Sequence, residues 1–277
     1  MNISQSFSVQ VSKVVQSVRD TRRLTRLKYS PAERTSLTSS LRAQGNQADM
    51  LGFHVNYLDH ESFRYALREV FFKFDYAFEA ETDSPTILDC GANIGLTTLF
   101  FKRLYPKARI SCFEAAPTTA TILKKNIDQN HLQDVVVHNL MLSTSDGERP
   151  FYIDASAPGS LRMSGVPGFI SNHREILVKT GKLSDYVDGP VDLLKLDVEG
   201  AEFEVLGDLK SSGKIAHIRR MVIEYHHRID GQTSRLAGFL GMLEAEGFDY
   251  QISGDCHPIT QQNVSQNFLI GAYRRSN

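Results

Sequence analysis

From Thr86 onward, short apolar runs alternate with longer stretches in which apolar positions recur every three or four residues. The runs fall at 86–90, 109–114, 134–140, 191–197 and 218–225, and the longer stretches at about 95–104, 117–130, 201–210 and 232–246. The first pattern predicts buried strands and the second amphipathic helices. Their alternation predicts a parallel sheet with right-handed crossovers and helices on both faces. Pro106 and Pro117 punctuate element ends. Two more strand-like runs, FDYQISG and NFLIGAYRR, close the chain, separated by a stretch with Cys256, His257 and Pro258. That connection is too short for a crossover helix, so an antiparallel pair is expected at the end of the sheet. Upstream, Phe63, Leu67, Val70, Phe71, Phe74 and Phe78 recur at helical spacing, and Tyr76 near the end of that helix is placed to cover a pocket. Residues 143 to 180 interrupt the alternation with a Gly, Pro and Ser-rich excursion, expected as a short hairpin and a loop near the active edge.

Composition narrows the function classes. The 277 residues suffice for one large α/β domain or a domain with an appendage, and 41% hydrophobic with 23% charged residues is ordinary for a globular protein. A formal net charge of -1 supplies no global field toward nucleic acid or membrane. Three cysteines without paired spacing argue against a disulfide framework or a C-x-x-C metal site. No run reaches the length of a transmembrane span and no secretory signal is legible, so the cytoplasm is the expected location. Residues 1 to 50 are polar, with a basic cluster at Lys13, Arg19, Arg22, Arg23, Arg26 and Lys28. They read as a solvated helical or partly disordered extension, or as a docking surface for an acidic partner. The expected organisation is therefore an extension and the start of a helical cap over 1–60, followed by a catalytic domain over 61–277.

The chemistry concentrates at strand ends. In ILDCGANIGLTTLFF an apolar strand ends at Asp89, a turn with Gly91 and Gly95 follows, and a helix begins. Open α/β sheets hold nucleotide-like cofactors at such a strand, turn and helix N-terminus. The glycines read G-x-x-x-G rather than G-x-G-x-x-G, and a carboxylate at the strand end disfavours pyrophosphate. It suits a ligand that carries positive charge, such as the ammonium and sulfonium of S-adenosylmethionine. Glu114, closing the next strand, is placed to accept both ribose hydroxyls; the alternative is a cap for the helix near Pro117. After the third strand, NLMLS offers its backbone or Ser143 to the adenine edge. In LLKLDVEGAEFEVL a buried strand ends at Asp197, and Glu199, Gly200 and Glu202 occupy the next turn. Three carboxylates so close repel one another unless used, protonated or facing water, although Glu199 and Glu202 also suit a helix N-terminus. In RRMVIEYHHR a strand delivers Glu224, Tyr225, His226 and His227 to the same edge, with groups suited to proton handling near neutral pH.

The chain resembles the FkbM family of S-adenosylmethionine-dependent methyltransferases over about residues 60 to 275. The matching segments are REVFFKFDYAF, ILDCGANIGLTTLFF, YPKARISCFEAAP, NLMLSTSDGERPFY, LLKLDVEGAEFEVL and MVIEYHH, in family order. The resemblance implies a class I methyltransferase fold with a seven-stranded, mostly parallel sheet, and O-methylation of hydroxyls on sugars or secondary metabolites. It implies that Asp89, Gly91, Asn93 and Gly95 line the methionine end of the cofactor, that Glu114 takes the ribose, and that Asp197 and Glu224 lie near the reacting groups. EAAP replaces the family's commoner EP-x-P, and the first 50 residues have no counterpart. The candidate cofactor set is thus Asp89, Gly91, Ala92, Asn93, Gly95, Glu114, Ala115, Leu142, Ser143 and Asp197. Asp197, Glu224 and His226 form the candidate catalytic set, with His226 or Glu224 as base and Asp197 orienting the acceptor. A divalent ion on Asp197 and Glu224 is possible but not favoured. A small-molecule or glycan acceptor is expected. A nucleic-acid methyltransferase gripping phosphates through the basic N-terminus, or a non-catalytic binding module, are the competing readings; near-neutral charge and the absence of an N-P-P-Y-like segment argue against nucleic acid.

Overall fold

The computed structural model describes residues 29–155, 163–166, 172–229, 234–254 and 266–275. The basic cluster between Lys13 and Lys28, and Cys256, His257 and Pro258, lie outside the described residues. Helix α1 (Pro31–Ser40) opens on a reciprocal cap: the Ser30 hydroxyl accepts from the Glu33 N–H while the Glu33 carboxylate accepts from the Ser30 N–H. A hairpin follows, β1 (Gln47–Met50) with β2 (Phe53–Asn56). Helix α2 (His60–Leu67) begins at Asp59, whose side chain accepts from the Ser62 N–H. It runs into a π-helical stretch, Arg68–Lys73, that stops where Phe74 takes a φ of 60°. The helix expected to continue to Phe78 therefore ends earlier, and Phe74 and Phe78 pack on Phe100 and Phe101 from the chain beyond it.

The regular alternation then unfolds as β3 (Thr86–Cys90), α3 (Leu96–Leu104), β4 (Arg109–Phe113), α4 (Pro117–Gln129) and β5 (Val135–His138). The excursion holds β6 (Met141–Leu142), β7 (Gly147–Asp154) and β8 (His173–Gly181), a separate three-stranded sheet in the order β6-β8-β7. Alternation resumes with β9 (Leu193–Leu196), α5 (Glu202–Ser211), β10 (Arg220–His227), α6 (Leu236–Ala245), β11 (Phe248–Gly254) and β12 (Gln266–Arg274). The main sheet has seven strands in the order β11-β12-β10-β9-β3-β4-β5. Its strands from β10 to β5 are parallel, whereas β12 is antiparallel to both β10 and β11. The antiparallel element is thus a strand inserted between β10 and β11. Strand order reverses beside β3, the switch point at which open sheets bind ligands beyond their carboxyl ends.

Residues of period two divide between the sheet's faces. Ile87, Leu193 and Val222 enter the core shared with α3 and the N-terminal elements; Leu88, Leu194 and Ile223 enter the core beneath α5 and α6. Helix α3 is buried from Leu96 through Lys102 because the sheet lies on one side and α1, the β1–β2 hairpin and the π-helical stretch cover the other. Residues 31–56, read from the sequence with the polar extension, thus fold onto the domain through Leu37, Met50 and Val55, with Ser40 and Asn56 buried and hydrogen-bonded beside them. Among the described residues no helix is long and apolar enough to cross a membrane.

Candidate active site

The cofactor side of the site is built where β3 and β9 run out next to each other. The register pairs Asp89 with Lys195 and Cys90 with Leu196. Just beyond, the Asp197 N–H donates to the Cys90 carbonyl, and a Cβ on Gly91 would sit 1.7 Å from the Asp197 carbonyl oxygen. Only glycine permits this crossing, and its φ of 77° is in the left-handed region as well. Lys195, 1% exposed, threads underneath: its ammonium donates to the carbonyls of Gly91 (2.6 Å) and Cys90 (3.2 Å) and lies 3.1 Å from Asp197 Oδ2 and 3.8 Å from Asp89 Oδ1. Burial alone would lower the pKa of this lysine, but Asp197 and Asp89 outweigh it and raise it. Asp89 is wholly buried and accepts from the hydroxyls of Thr97 and Thr98 at 2.7 and 2.8 Å. It sits beneath the turn, and its charge faces Lys195 rather than the cleft.

A cleft opens above, lined by Gly91, Asn93, Glu114, Ala115, Leu142 and Asp197 from the expected set, joined by Phe113, Phe151, Met163 and Glu199. It opens to solvent at its mouth, and about 600 Å³ of empty space lies between its walls when that open mouth is included. Glu114 spans two turns: Oε2 accepts from the Asn93 N–H at 3.0 Å and Oε1 from the Ala116 N–H at 2.9 Å. It therefore supports the start of α4 and lines the cleft at once. Burial raises its pKa to about 7, against the lowering effect of those two N–H bonds and Lys195. Ala92 and Ser143 are buried outside the lining; Gly95 begins α3 with a φ of 94°, and a Cβ there would meet Leu123 at 2.7 Å. The residues present fit S-adenosylmethionine through the Gly91 backbone at the cleft wall, the carboxylate of Glu114 and the apolar wall of Leu142, Phe151 and Met163.

A second cluster of ionisable groups lies beside the cleft, at the end of β10. Strand β10 extends through His227, so Glu224 and His226 project from one face while Tyr225 and His227 project from the other. The Glu202 carboxylate oxygen Oε1 accepts from the N–H groups of Val198 and Gly200 and lies 2.9 Å from His226 Nδ1. His226 Nε2 lies 3.1 Å from Glu199 Oε2 and 3.9 Å from Glu224 Oε1. Burial opposes a charge on this imidazole, yet Glu199 and Glu202 raise its pKa well above 6.5. Burial, tempered by His226 and reinforced by Asp197, pushes Glu199 up to about 8. Glu224 is raised by burial and Asp197, accepts from Asn267 Nδ2 at 2.8 Å, and accepts from the Tyr76 hydroxyl at 3.2 Å. Tyr76 is itself buried against this cluster, within 5.4 Å of Lys195 Nζ.

Asp197, Glu224 and His226 are thus brought together, whereas His227 is turned toward Tyr225 and Phe268. The sequence reading missed Lys195 and Asn267, and it took Glu199 and Glu202 for helix-terminal acids or a repulsive cluster without finding their imidazole. A lysine inside the apolar run LLKL was the available signal for the first. Asn267 had none, because its role follows from the insertion of β12 beside β10.

Sheet order, glycine cradle and strand-end carboxylates define a class I methyltransferase. The FkbM methyltransferase domain model matches residues 89–250, more than half of the chain, and this protein belongs to that family of S-adenosylmethionine-dependent methyltransferases. It is similar to the methyltransferase sdnD of Sordaria araneosa, 34% identical over 58% of this chain and 73% of that one. It is also similar to methyltransferase 1 of Beauveria bassiana, 31% identical over 51% of this chain and 65% of that one, and to the 2-O-methyltransferase NoeI of Sinorhizobium fredii, 28% identical over 48% and 60%. Among solved structures, an FkbM methyltransferase from Methylobacillus flagellatus aligns over 86% of this chain and 59% of that one at 16% identity, with a TM-score of 0.43.

Proposed function

We propose that this methyltransferase acts on a hydroxyl group of a sugar or natural-product acceptor, with Glu224 as the proton acceptor. The observation that carries this reading is the Glu224 carboxylate beside His226 and Asp197, at the strand ends that border the cofactor cleft. The name of the Sinorhizobium relative, a 2-O-methyltransferase, is in keeping with it. Gly91, Asn93, Glu114, Ala115 and Leu142 would hold S-adenosylmethionine, with the Glu114 carboxylate accepting from ribose hydroxyls. When bound, that cofactor supplies an electrophilic methyl group on a sulfonium that departs as a neutral thioether. Glu224 would take the proton of the acceptor hydroxyl as that oxygen is methylated. Tyr76 and Asn267 each donate to Glu224 and fix its orientation. His226 is a poor base, because Glu199 and Glu202 hold its proton; the base role falls to its neighbour. Asp197, tethered by Lys195, orients the acceptor.

Glu224→Gln keeps the shape and removes the basic oxygen. Its turnover is expected to fall by about 10²- to 10⁴-fold, while S-adenosylmethionine binding by calorimetry changes no more than a few-fold. Unchanged turnover with a panel of hydroxylated acceptors would exclude Glu224 as the base.

A further inference from the structure

Asp197, Glu199 and His226 each offer one ligand atom, and those atoms all lie within 4.8 Å of one another. We propose that these three residues form a divalent-cation site at the edge of the cleft, suited to Mn²⁺. Three observations converge on it. First, the 3.1 Å between His226 Nε2 and Glu199 Oε2 is the separation of two neighbouring ligands on one ion with bonds of about 2.1–2.2 Å. Second, the imidazole is held as metal-binding imidazoles are held: Glu202 engages Nδ1 at 2.9 Å and is itself fixed by two backbone N–H groups, which aims Nε2 at the carboxylates. Third, Glu199, Glu202 and Glu224 all converge on this one imidazole, and the nearby Lys195 is already engaged with Asp89 and Asp197. A divalent ion placed among these carboxylates would be held by their charge as well as by its ligand bonds.

The set is open where an acceptor would arrive. The His226 side chain is 3% exposed, but those of Asp197 and Glu199 are 22% and 24% exposed and line the cleft. Lys195 occupies Asp197 Oδ2 and leaves Oδ1 for an ion. An imidazole with carboxylates suits Mn²⁺, which accepts both ligand types. The ion would bind the acceptor hydroxyl and ease its deprotonation to Glu224. That last role rests on the proposed methyl transfer; ion binding itself does not.

The test is titration of the chelator-treated full chain with Mn²⁺, read by calorimetry and by electron paramagnetic resonance. One Mn²⁺ per chain is expected, with nitrogen hyperfine coupling from the imidazole in electron spin-echo spectra. Glu199→Gln and His226→Gln are each expected to weaken binding at least tenfold, with the nitrogen coupling lost in His226→Gln. Glu204→Gln, on the exposed side of α5, is expected to leave binding unchanged. Absence of stoichiometric Mn²⁺, or a bound ion without nitrogen coupling in the unsubstituted chain, overturns the site whatever the variants do. If S-adenosylmethionine binds and methyl transfer proceeds at the full rate in the chelator-treated chain, the ion's part in deprotonating the acceptor is overturned while the proposed reaction stands. If Mn²⁺ binds with nitrogen coupling and no hydroxyl acceptor is methylated, the site stands and the proposed reaction fails.

Discussion

Lys195 ties the interior of the sheet to the turn that borders the cleft. It lies in the middle of the sheet, in register with Asp89 on β3, and its ammonium ties down the two carbonyls at the Gly91 turn. Asp89 Oδ1 has no hydrogen-bond partner apart from this 3.8 Å charge pairing, so it depends on the lysine. Removing one partner of a buried pair leaves the other charge uncompensated, typically a loss of about 3–5 kcal/mol. Lys195→Met is accordingly expected to lose stability of that order in urea denaturation and to weaken S-adenosylmethionine binding, because the Gly91 turn and Asp197 lose a common anchor. A loss below about 1 kcal/mol would show that Asp89 is not held by this pair. The acid at position 89 was legible as a strand-end carboxylate before a glycine turn, but its partner was not. Sequence shows the apolar run LLKL; only strand register shows that its lysine meets the acid.

Elements decide which side chains meet, and here turns from different strands share one carboxylate. Glu114 leaves β4 and accepts from Asn93 after β3 and from Ala116 at the start of α4. Its pKa of about 7 has a definite sign for both stability and binding. A carboxyl raised above its unfolded value near 4.5 contributes stability below that value, lost as the pH climbs through about 7. In the proposed cofactor complex the ribose hydroxyls would donate to the ionised form, so cofactor affinity should move the opposite way. Calorimetric titration is expected to show S-adenosylmethionine binding tightening several-fold between about pH 6 and about pH 8, with Glu114→Gln binding weakly and without that slope. A wild-type slope that survives in Glu114→Gln would assign the titration to another group. Strand and helix alternation was legible because each element here is either continuously apolar or periodic. The end of α2, the extension of β10 through His227 and the insertion of β12 were not. The first depends on a π-helical turn and a left-handed Phe74, the others on pairing between segments far apart in sequence. That is why His226 and His227, adjacent in the sequence, part company in the fold.

At the scale of the whole molecule, the N-terminal elements belong to the catalytic domain's core. Leu37, Met50, Val55, Phe63 and Phe71 form one cluster with Phe100 and Phe101 of α3, including an edge-to-face pair of Phe71 and Phe100 with centroids 5.4 Å apart. Asn126 of α4 clamps the β1–β2 hairpin: its side chain bonds the N–H and carbonyl of Asn56 and also reaches the Ile94 carbonyl beside the cofactor turn. Polar composition hid this from the sequence, because short elements with few apolar residues carry little periodic signal. A shared core implies shared cooperativity. Met50 is fully buried, and Met50→Ala should cost about 2–5 kcal/mol. The expected result is one urea transition, shifted to lower denaturant, in which helical circular dichroism and tyrosine fluorescence still coincide and cofactor binding is lost at the same midpoint. A separate early transition confined to part of the signal, with cofactor binding surviving it, would mean that α1 and the hairpin are a detachable cap. Coincident loss would instead mean that the far end of this core sets the stability of the Gly91 turn, through α3 packed between them.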